Sequence, residues 1–157
     1  MLTARPEDLK LIQASYEDDP TMRVQFNWLI SAAHGTKSTA AVYGELDPGC
    51  RLGTHVDAAE EVLLVLDGTV ELTVGDERCQ LAAGGIAVAP AMVPHGFRNV
   101  GTEKVRYIGF FPSATVSSVF DRPLLPIQQQ VVGTPNWMQA LAGTSHHEAE
   151  GAPLPQG

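Results

Sequence analysis

The stretch that decides the fold runs Gly49-Cys50-Arg51-Leu52-Gly53-Thr54-His55-Val56-Asp57-Ala58-Ala59-Glu60-Glu61-Val62-Leu63-Leu64-Val65-Leu66-Asp67-Gly68. Val62 to Leu66 is a continuous apolar run, which reads as a buried strand, and Asp67-Gly68 ends it as a turn. Upstream, His55 and Asp57 stand two residues apart, a spacing that puts both side chains on one face of a strand. Glu61 heads the apolar run itself.

Outward from this stretch the chain continues in strands. Val70, Leu72 and Val74 alternate with Glu71 and Thr73, the period-two pattern of a strand with one buried face. Gly75-Asp76-Glu77 turns the chain, and Gln80-Leu81 and Ile86 to Ala89 follow, separated by Gly84-Gly85. Phe97 to Val100 and Val105 to Phe111 complete the series, and Val24 to Ile30 and Thr39 to Leu46 precede it. Short strands spaced about 8–12 residues apart, with Gly, Pro and Asp between them, predict an all-β sandwich or barrel. No long amphipathic helical pattern interrupts them, which argues against a βαβ fold.

The ends read differently. Residues 1–19 are expected to form an N-terminal arm, with a helical turn or two over Pro6 to Gln13, and residues 20–115 the barrel. Residues 116–144, which carry Pro123 and Pro126, read as a C-terminal arm wrapping it. Thr134-Pro135 offers an N-cap and first helical residue, and Gly143 a stop, for a short helix around Trp137, Met138 and Leu141. Residues 145–157 have little to bury and are expected to be disordered.

The chain has 157 residues, 44% of them apolar, enough for one domain with a real core. Its net charge of −8 argues against nucleic acid as a partner, because phosphate binding needs clustered Lys and Arg. No run of about 18 apolar residues is present to span a bilayer. The first ten residues, MLTARPEDLK, lack the basic-then-apolar pattern of a signal peptide, so a cytoplasmic location is expected. The two cysteines, Cys50 and Cys79, are too few and too far apart for a disulfide framework or a CxxC site and read as free thiols.

The candidate chemistry lies in His55, Asp57, Glu61 and the distant His95, which follows Pro90 and Pro94. Imidazole nitrogen and carboxylate oxygen suit first-row divalent metals, and two histidines with one carboxylate describe the facial site of non-haem Fe(II) oxygenases. The other histidines read as bystanders: His34 lies in a polar loop, and His146-His147 lie in a polar tail. Phe26, Trp28 and Tyr43 read as core, with one or two free to line a pocket.

Two stretches resemble the motifs of the cupin superfamily, in its small single-domain form. Residues 49–68 fit the first motif, a glycine, five residues, HxH, three or four residues, a glutamate, six residues and a glycine. Gly84, Pro90, His95 and Asn99 fit the second, G, five residues, PxG, two residues, H, three residues, N. Asp57 stands where the family usually has its second histidine, and Met92 where the motif has a glycine, which suggests a different turn there. The resemblance implies a double-stranded β-helix, a jelly-roll barrel holding one divalent transition metal per chain. Fe(II) is favoured, and Mn, Ni, Co and Zn are admitted. It further implies ligation by His55, Glu61 and His95, with register choosing Glu61 over Glu60. Asp57 is left with three roles: ligand, orienting neighbour, or turned away.

What such a barrel does is read more openly, because the fold hosts many activities. The leading expectation is a metal-dependent enzyme acting on a small-molecule substrate, most of all a dioxygenase-like activity. A redox-neutral isomerase, cyclase or lyase is the alternative, and a non-catalytic metabolite- or metal-binding cupin the rival. A homodimer is expected, since Val62 to Leu66 is apolar on both faces.

Overall fold

The structure is a computed structural model, and it describes residues 1–134. Twelve strands occur among them: β1 (Ile12–Ser15), β2 (Arg23–Ile30), β3 (Ala40–Leu46), β4 (Arg51–Asp57), β5 (Glu61–Asp67), β6 (Thr69–Val74), β7 (Glu77–Ala82), β8 (Ile86–Ala89), β9 (His95–Asn99), β10 (Val105–Phe111), β11 (Ser117–Leu124) and β12 (Gln129–Gly133). They form two six-stranded sheets, ordered β1-β2-β3-β10-β5-β8 and β12-β11-β4-β9-β6-β7. The pairings between named strands are antiparallel, and the chain crosses repeatedly between sheets, giving a jelly-roll barrel.

Alternation in the sequence becomes the two faces of each sheet. Along β5, Glu61, Leu63 and Val65 are buried and Val62, Leu64 and Leu66 lie partly exposed outside. Along β10, Val105, Tyr107, Gly109 and Phe111 point inward. Met22, Val24, Leu46, Leu63, Val65, Val70, Leu72, Phe97 and Tyr107 fill the space between the sheets. Phe97 and Tyr107 meet edge to face at 4.8 Å, the arrangement the ring quadrupoles favour. Asn99 holds one end of the barrel closed. It is buried, donates its amide to the carbonyls of Leu46 and Glu103, and accepts from the Gly101 N–H.

The helical turn expected over Pro6 to Gln13 is a single 3₁₀ turn, Pro6–Asp8, before Ile12 begins β1. Ala14 is buried there, and tertiary pairing with β2 overrides local helical preference. The stretch from 116, expected as an arm, supplies β11 and β12, which extend the second sheet beyond β4. Pro123 is tolerated because β11 pairs with β4 only over Ser118 to Phe120, and the pairing with β12 is interrupted between Val119 and Leu124. Thr134 accepts the Val116 N–H on its hydroxyl and pins the end of β12. The helix expected around Trp137 and the tail from residue 145 lie outside the described residues.

Met92, at the position where the motif has a glycine, lies in the turn before β9. Met92 itself takes φ 63°, the left-handed conformation that glycine fills without strain, and its N–H donates to the Asp57 carbonyl at 2.8 Å. Both cysteines are free, Cys50 buried and Cys79 exposed. No helix among the described residues is long and apolar enough to cross a membrane.

Candidate metal centre

The barrel brings all four predicted residues together, from both sheets. His55 and Asp57 lie on the inward face of β4, and His95 opens β9 directly opposite His55. Glu61 reaches in from the other sheet, at the first position of β5. All four side chains are buried, and one nitrogen or oxygen from each falls within 4.8 Å of the others. Glu60, one residue from Glu61, points to solvent.

The histidines are oriented by their own strands. His55 Nδ1–H donates to the Gly53 carbonyl at 2.8 Å, and His95 Nδ1–H to the Val93 carbonyl at 2.9 Å. A carbonyl can only accept, so each Nδ1 carries a proton and each ring turns its Nε2 into the cluster. Phe120 stacks on the His55 ring at 4.6 Å and fixes its plane. His95 Nε2 lies 3.1 Å from Glu61 Oε2 and 3.1 Å from Asp57 Oδ2. Only the Glu61 contact has hydrogen-bond geometry. Asp57 Oδ1 takes the Ser118 hydroxyl, while Oδ2 is buried with no hydrogen-bond partner among the described residues.

Charge balance explains the protonation. Burial pushes the His55 imidazolium down, and the nearby carboxylates offset this only in part, so His55 stays neutral. Burial opposes charge on His95 as well, yet the Asp57 and Glu61 carboxylates and the Val93 carbonyl hold it up to about 10. Burial likewise opposes the Asp57 charge, but His95, His55 and Ser118 outweigh it and keep this carboxyl below the usual range.

Two carboxylates and two imidazoles in a desolvated space demand a positive charge at their centre. A proton on His95 supplies one unit and leaves Asp57 Oδ2 orphaned. A divalent ion would balance both carboxylates and give that oxygen a partner. The two-nitrogen, two-oxygen donor set suits borderline first-row ions, so the residues fit such a metal. Of the three roles open to Asp57, turning away is excluded by its position, since it is only 1% exposed and faces His95.

A cavity opens beside the cluster, lined by His55, Asp57 and Glu61 at one end and otherwise mostly apolar, with Phe26, Trp28, Val42, Phe111 and Phe120 among its walls. It leaves about 60 Å³ for water centres, room for roughly four to six waters or a molecule of comparable size. Phe26 and Trp28 line this pocket, whereas Tyr43 packs elsewhere and bonds to Glu45 and Arg106. His34 is exposed, and its Nδ1 meets the Ser31 hydroxyl.

Three supporting residues escaped the sequence reading. Gly109 is bare because the Glu61 carboxylate occupies the place a side chain would take. An isolated glycine inside the strand Tyr107-Ile108-Gly109-Phe110-Phe111 does signal such a close approach. Ser118 and Phe120 left no such signal, because they act from strands read as an arm.

Comparisons with known proteins agree with this architecture. Residues 42–111 match the family model described as the cupin domain. Among solved structures, the polyketide cyclase RemF from Streptomyces resistomycificus is 22% identical, with a TM-score of 0.58 over 71% of this chain and 79% of its own. A predicted oxalate decarboxylase from Thermotoga maritima is 18% identical, with a TM-score of 0.61 over 71% and 99%. A putative sugar phosphate isomerase from Acidithiobacillus ferrooxidans is 21% identical, with a TM-score of 0.59 over 87% of each chain. No curated protein sequence matches the chain. The fold is that of a cupin barrel, and the match to the cupin domain covers residues 42–111, which hold all four candidate ligands.

Proposed function

We propose that the protein is a metal-dependent enzyme acting on a small, mostly apolar molecule that carries oxygen, with a dioxygenase-like reaction using Fe(II) as the first reading. The observation that supports it is the convergence of four buried ligand atoms at one end of an apolar cavity. A divalent ion held by His55, Asp57, Glu61 and His95 would place positive charge against a substrate oxygen and, as Fe(II), would also bring dioxygen within reach. The chain's own residues do the rest. Gly53 and Val93 fix the two rings, Ser118 holds Asp57, and the aromatic walls exclude water so that charge at the cluster acts through a low dielectric.

A second reading, a redox-neutral isomerase, cyclase or lyase, is favoured by the names of the structural neighbours: a cyclase, a putative isomerase and a predicted decarboxylase. The deciding experiment measures metal content after anaerobic purification, then oxygen uptake with a panel of diketones and dihydroxyaromatics. Substrate-dependent uptake by the iron-loaded protein supports the oxygenase. Turnover without uptake moves the reaction to the redox-neutral class, and turnover unaffected by removing metal refutes both.

The same reading includes a homodimer. Outside the barrel, Phe110, Val62 and Val88 lie in one cross-strand row and Ile108, Leu64 and Ile86 in the next. Ile86, Val88 and Phe110 are exposed. These rows carry no charge that a two-fold axis would set against itself, so a second copy of the chain suits the face.

A further inference from the structure

One member of the cluster has its two oxygens in different surroundings. Ser118 on β11 and Asp57 on β4 are cross-strand partners, and the Ser118 hydroxyl donates to Asp57 Oδ1. The Asp57 backbone is anchored too, since the Met92 N–H donates to its carbonyl at 2.8 Å. Oδ2 instead lies 3.1 Å from His95 Nε2 and 3.7 Å from His55 Nε2, buried and with no hydrogen-bond partner among the described residues. A carboxylate buried for packing alone would have both oxygens satisfied, because an unsatisfied one costs desolvation free energy.

Glu61 is arranged on the same plan. Its Oε2 lies 3.1 Å from His95 Nε2, while Oε1 lies over Gly109, in the space a Cβ there would need. Each carboxylate therefore turns one oxygen to the histidines and has the other engaged by the barrel. Backbone packing engages Glu61, whereas a single hydroxyl engages Asp57. To grip an ion with both oxygens, Asp57 would have to turn Oδ1 away from Ser118 and give up that hydrogen bond. The difference bears on ion choice. Ca(II) seeks about six to eight oxygens and readily takes both oxygens of a carboxylate, whereas first-row transition ions accept imidazole together with single oxygens.

We propose that Ser118 is a positioning residue that determines ion specificity: its hydroxyl confines Asp57 to a single oxygen toward the ion, and so sets the site against Ca(II) and in favour of first-row transition ions. The inference rests on the reading of His55, Asp57, Glu61 and His95 as a metal centre, and adds the means by which one ion is chosen over another. Ser118 acts through Asp57, from β11, outside the residues 42–111 that supply the four candidate ligands.

The test titrates the metal-stripped full chain with Co(II) and, separately, with Ca(II) by calorimetry, and follows folding by thermal melts. The variants are Ser118→Ala and the pair Ser118→Thr and Ser118→Val, which match in shape and differ in the hydroxyl. The wild type and Ser118→Thr are expected to bind Co(II) at least about 100-fold more tightly than Ca(II). In Ser118→Ala and Ser118→Val, Co(II) affinity should fall about 10–100-fold, the range for losing a group that orients a ligand, while Ca(II) affinity holds or rises. The ratio is the deciding quantity, since a merely structural hydroxyl would weaken both ions alike. A folded Ser118→Ala or Ser118→Val protein that keeps the wild-type ratio overturns the inference, whatever its absolute affinities. So does a wild type that binds Ca(II) within about tenfold of Co(II), a result that needs no variant to fold. If the wild type binds neither ion, the metal centre itself fails and the inference falls with it.

Discussion

Replacing Gly109 with alanine tests the metal centre without touching any of the four ligands. A Cβ at this position would overlap Glu61 Oε1 and lie 3.0 Å from Glu61 Cδ and 3.1 Å from a Val42 methyl. Ordinary carbon contacts begin near 3.5 Å, and the β10 backbone beneath Gly109 is paired on both sides, to Val42 and to Leu63. The carboxylate is the part able to yield, and it must retreat by on the order of 1 Å, several times the ±0.2 Å a metal–ligand bond tolerates. Glu61 then leaves the cluster and His95 loses the carboxylate that its Nε2 faces at 3.1 Å. Overpacking of this kind costs about 1–3 kcal/mol of stability. Metal affinity should fall at least ~10–100-fold, the range seen when a ligand's support is disturbed. Calorimetric titration of the metal-stripped protein with Mn(II) or Fe(II) under argon measures the affinity, and a thermal melt separates it from unfolding. A folded Gly109→Ala protein that binds metal with wild-type affinity would show that Glu61 is not a ligand.

Other substitutions probe neighbouring parts of the argument. His95→Ala and Glu61→Ala should each abolish most metal binding, while Asp57→His should retain a metal and shift its preference toward softer ions, both read by metal analysis after dialysis. In the metal-stripped protein His95 is held up to about 10 from an ordinary 6.5, so its contribution to stability is complete below about 6.5 and is lost as pH rises through 10. A bound metal displaces that proton, so metal affinity should climb with pH over the same window, about tenfold per unit for one proton displaced, and a pH-independent affinity between 7 and 9 would contradict the proton's location. Met92→Gly relieves a left-handed side chain that is 63% exposed and packs little; urea melts should show a gain of ~1 kcal/mol, with a loss refuting the strain. If the proposed homodimer uses the Phe110–Val62–Val88 face, light scattering should show a dimer for the wild type and a monomer for Val88→Asp with metal binding intact; a wild-type monomer refutes the dimer, and a dimeric variant places the interface elsewhere.

Much of the site was legible because ligands must be particular residue types at particular places. His55, Asp57 and Glu61 sit within one strand–turn–strand unit, and alternation alone put His55 and Asp57 on a common face. His95 needed the second motif, since no local pattern ties a residue forty positions away to the same point. The fate of Asp57 was not legible, because whether a carboxylate points into a cluster depends on what holds it. Here that is Ser118, from β11. β11 itself was missed for a physical reason. Its sequence, Ser-Ser-Val-Phe-Asp-Arg-Pro-Leu, contains a proline and weak alternation, and it becomes a strand only because β4 offers a partner on one side and β12 on the other. β1 was obscured in the same way, by a short run whose strand character comes from β2 rather than from its own residues.

The cavity divides by sequence in a way that bears on how such a protein can be retuned. His55, Asp57, Glu61 and His95 all fall within residues 42–111, whereas Ala14, Val24, Phe26, Trp28, Phe120, Leu124 and Val132, which shape the cavity's walls, come from the flanking strands on either side. The four candidate ligands thus sit in the central segment, while the walls are shared between that segment, through Val42, Leu52, Tyr107 and Phe111, and the flanking strands. Exchanging Ala14, Val24, Phe26, Trp28, Leu124 and Val132 would reshape the cavity while leaving Phe120, which stacks on His55, and the four candidate ligands as they are. A library confined to those six positions would vary the cavity on an unchanged set of candidate ligands, and its members could be screened first for retained metal and then for small-molecule binding.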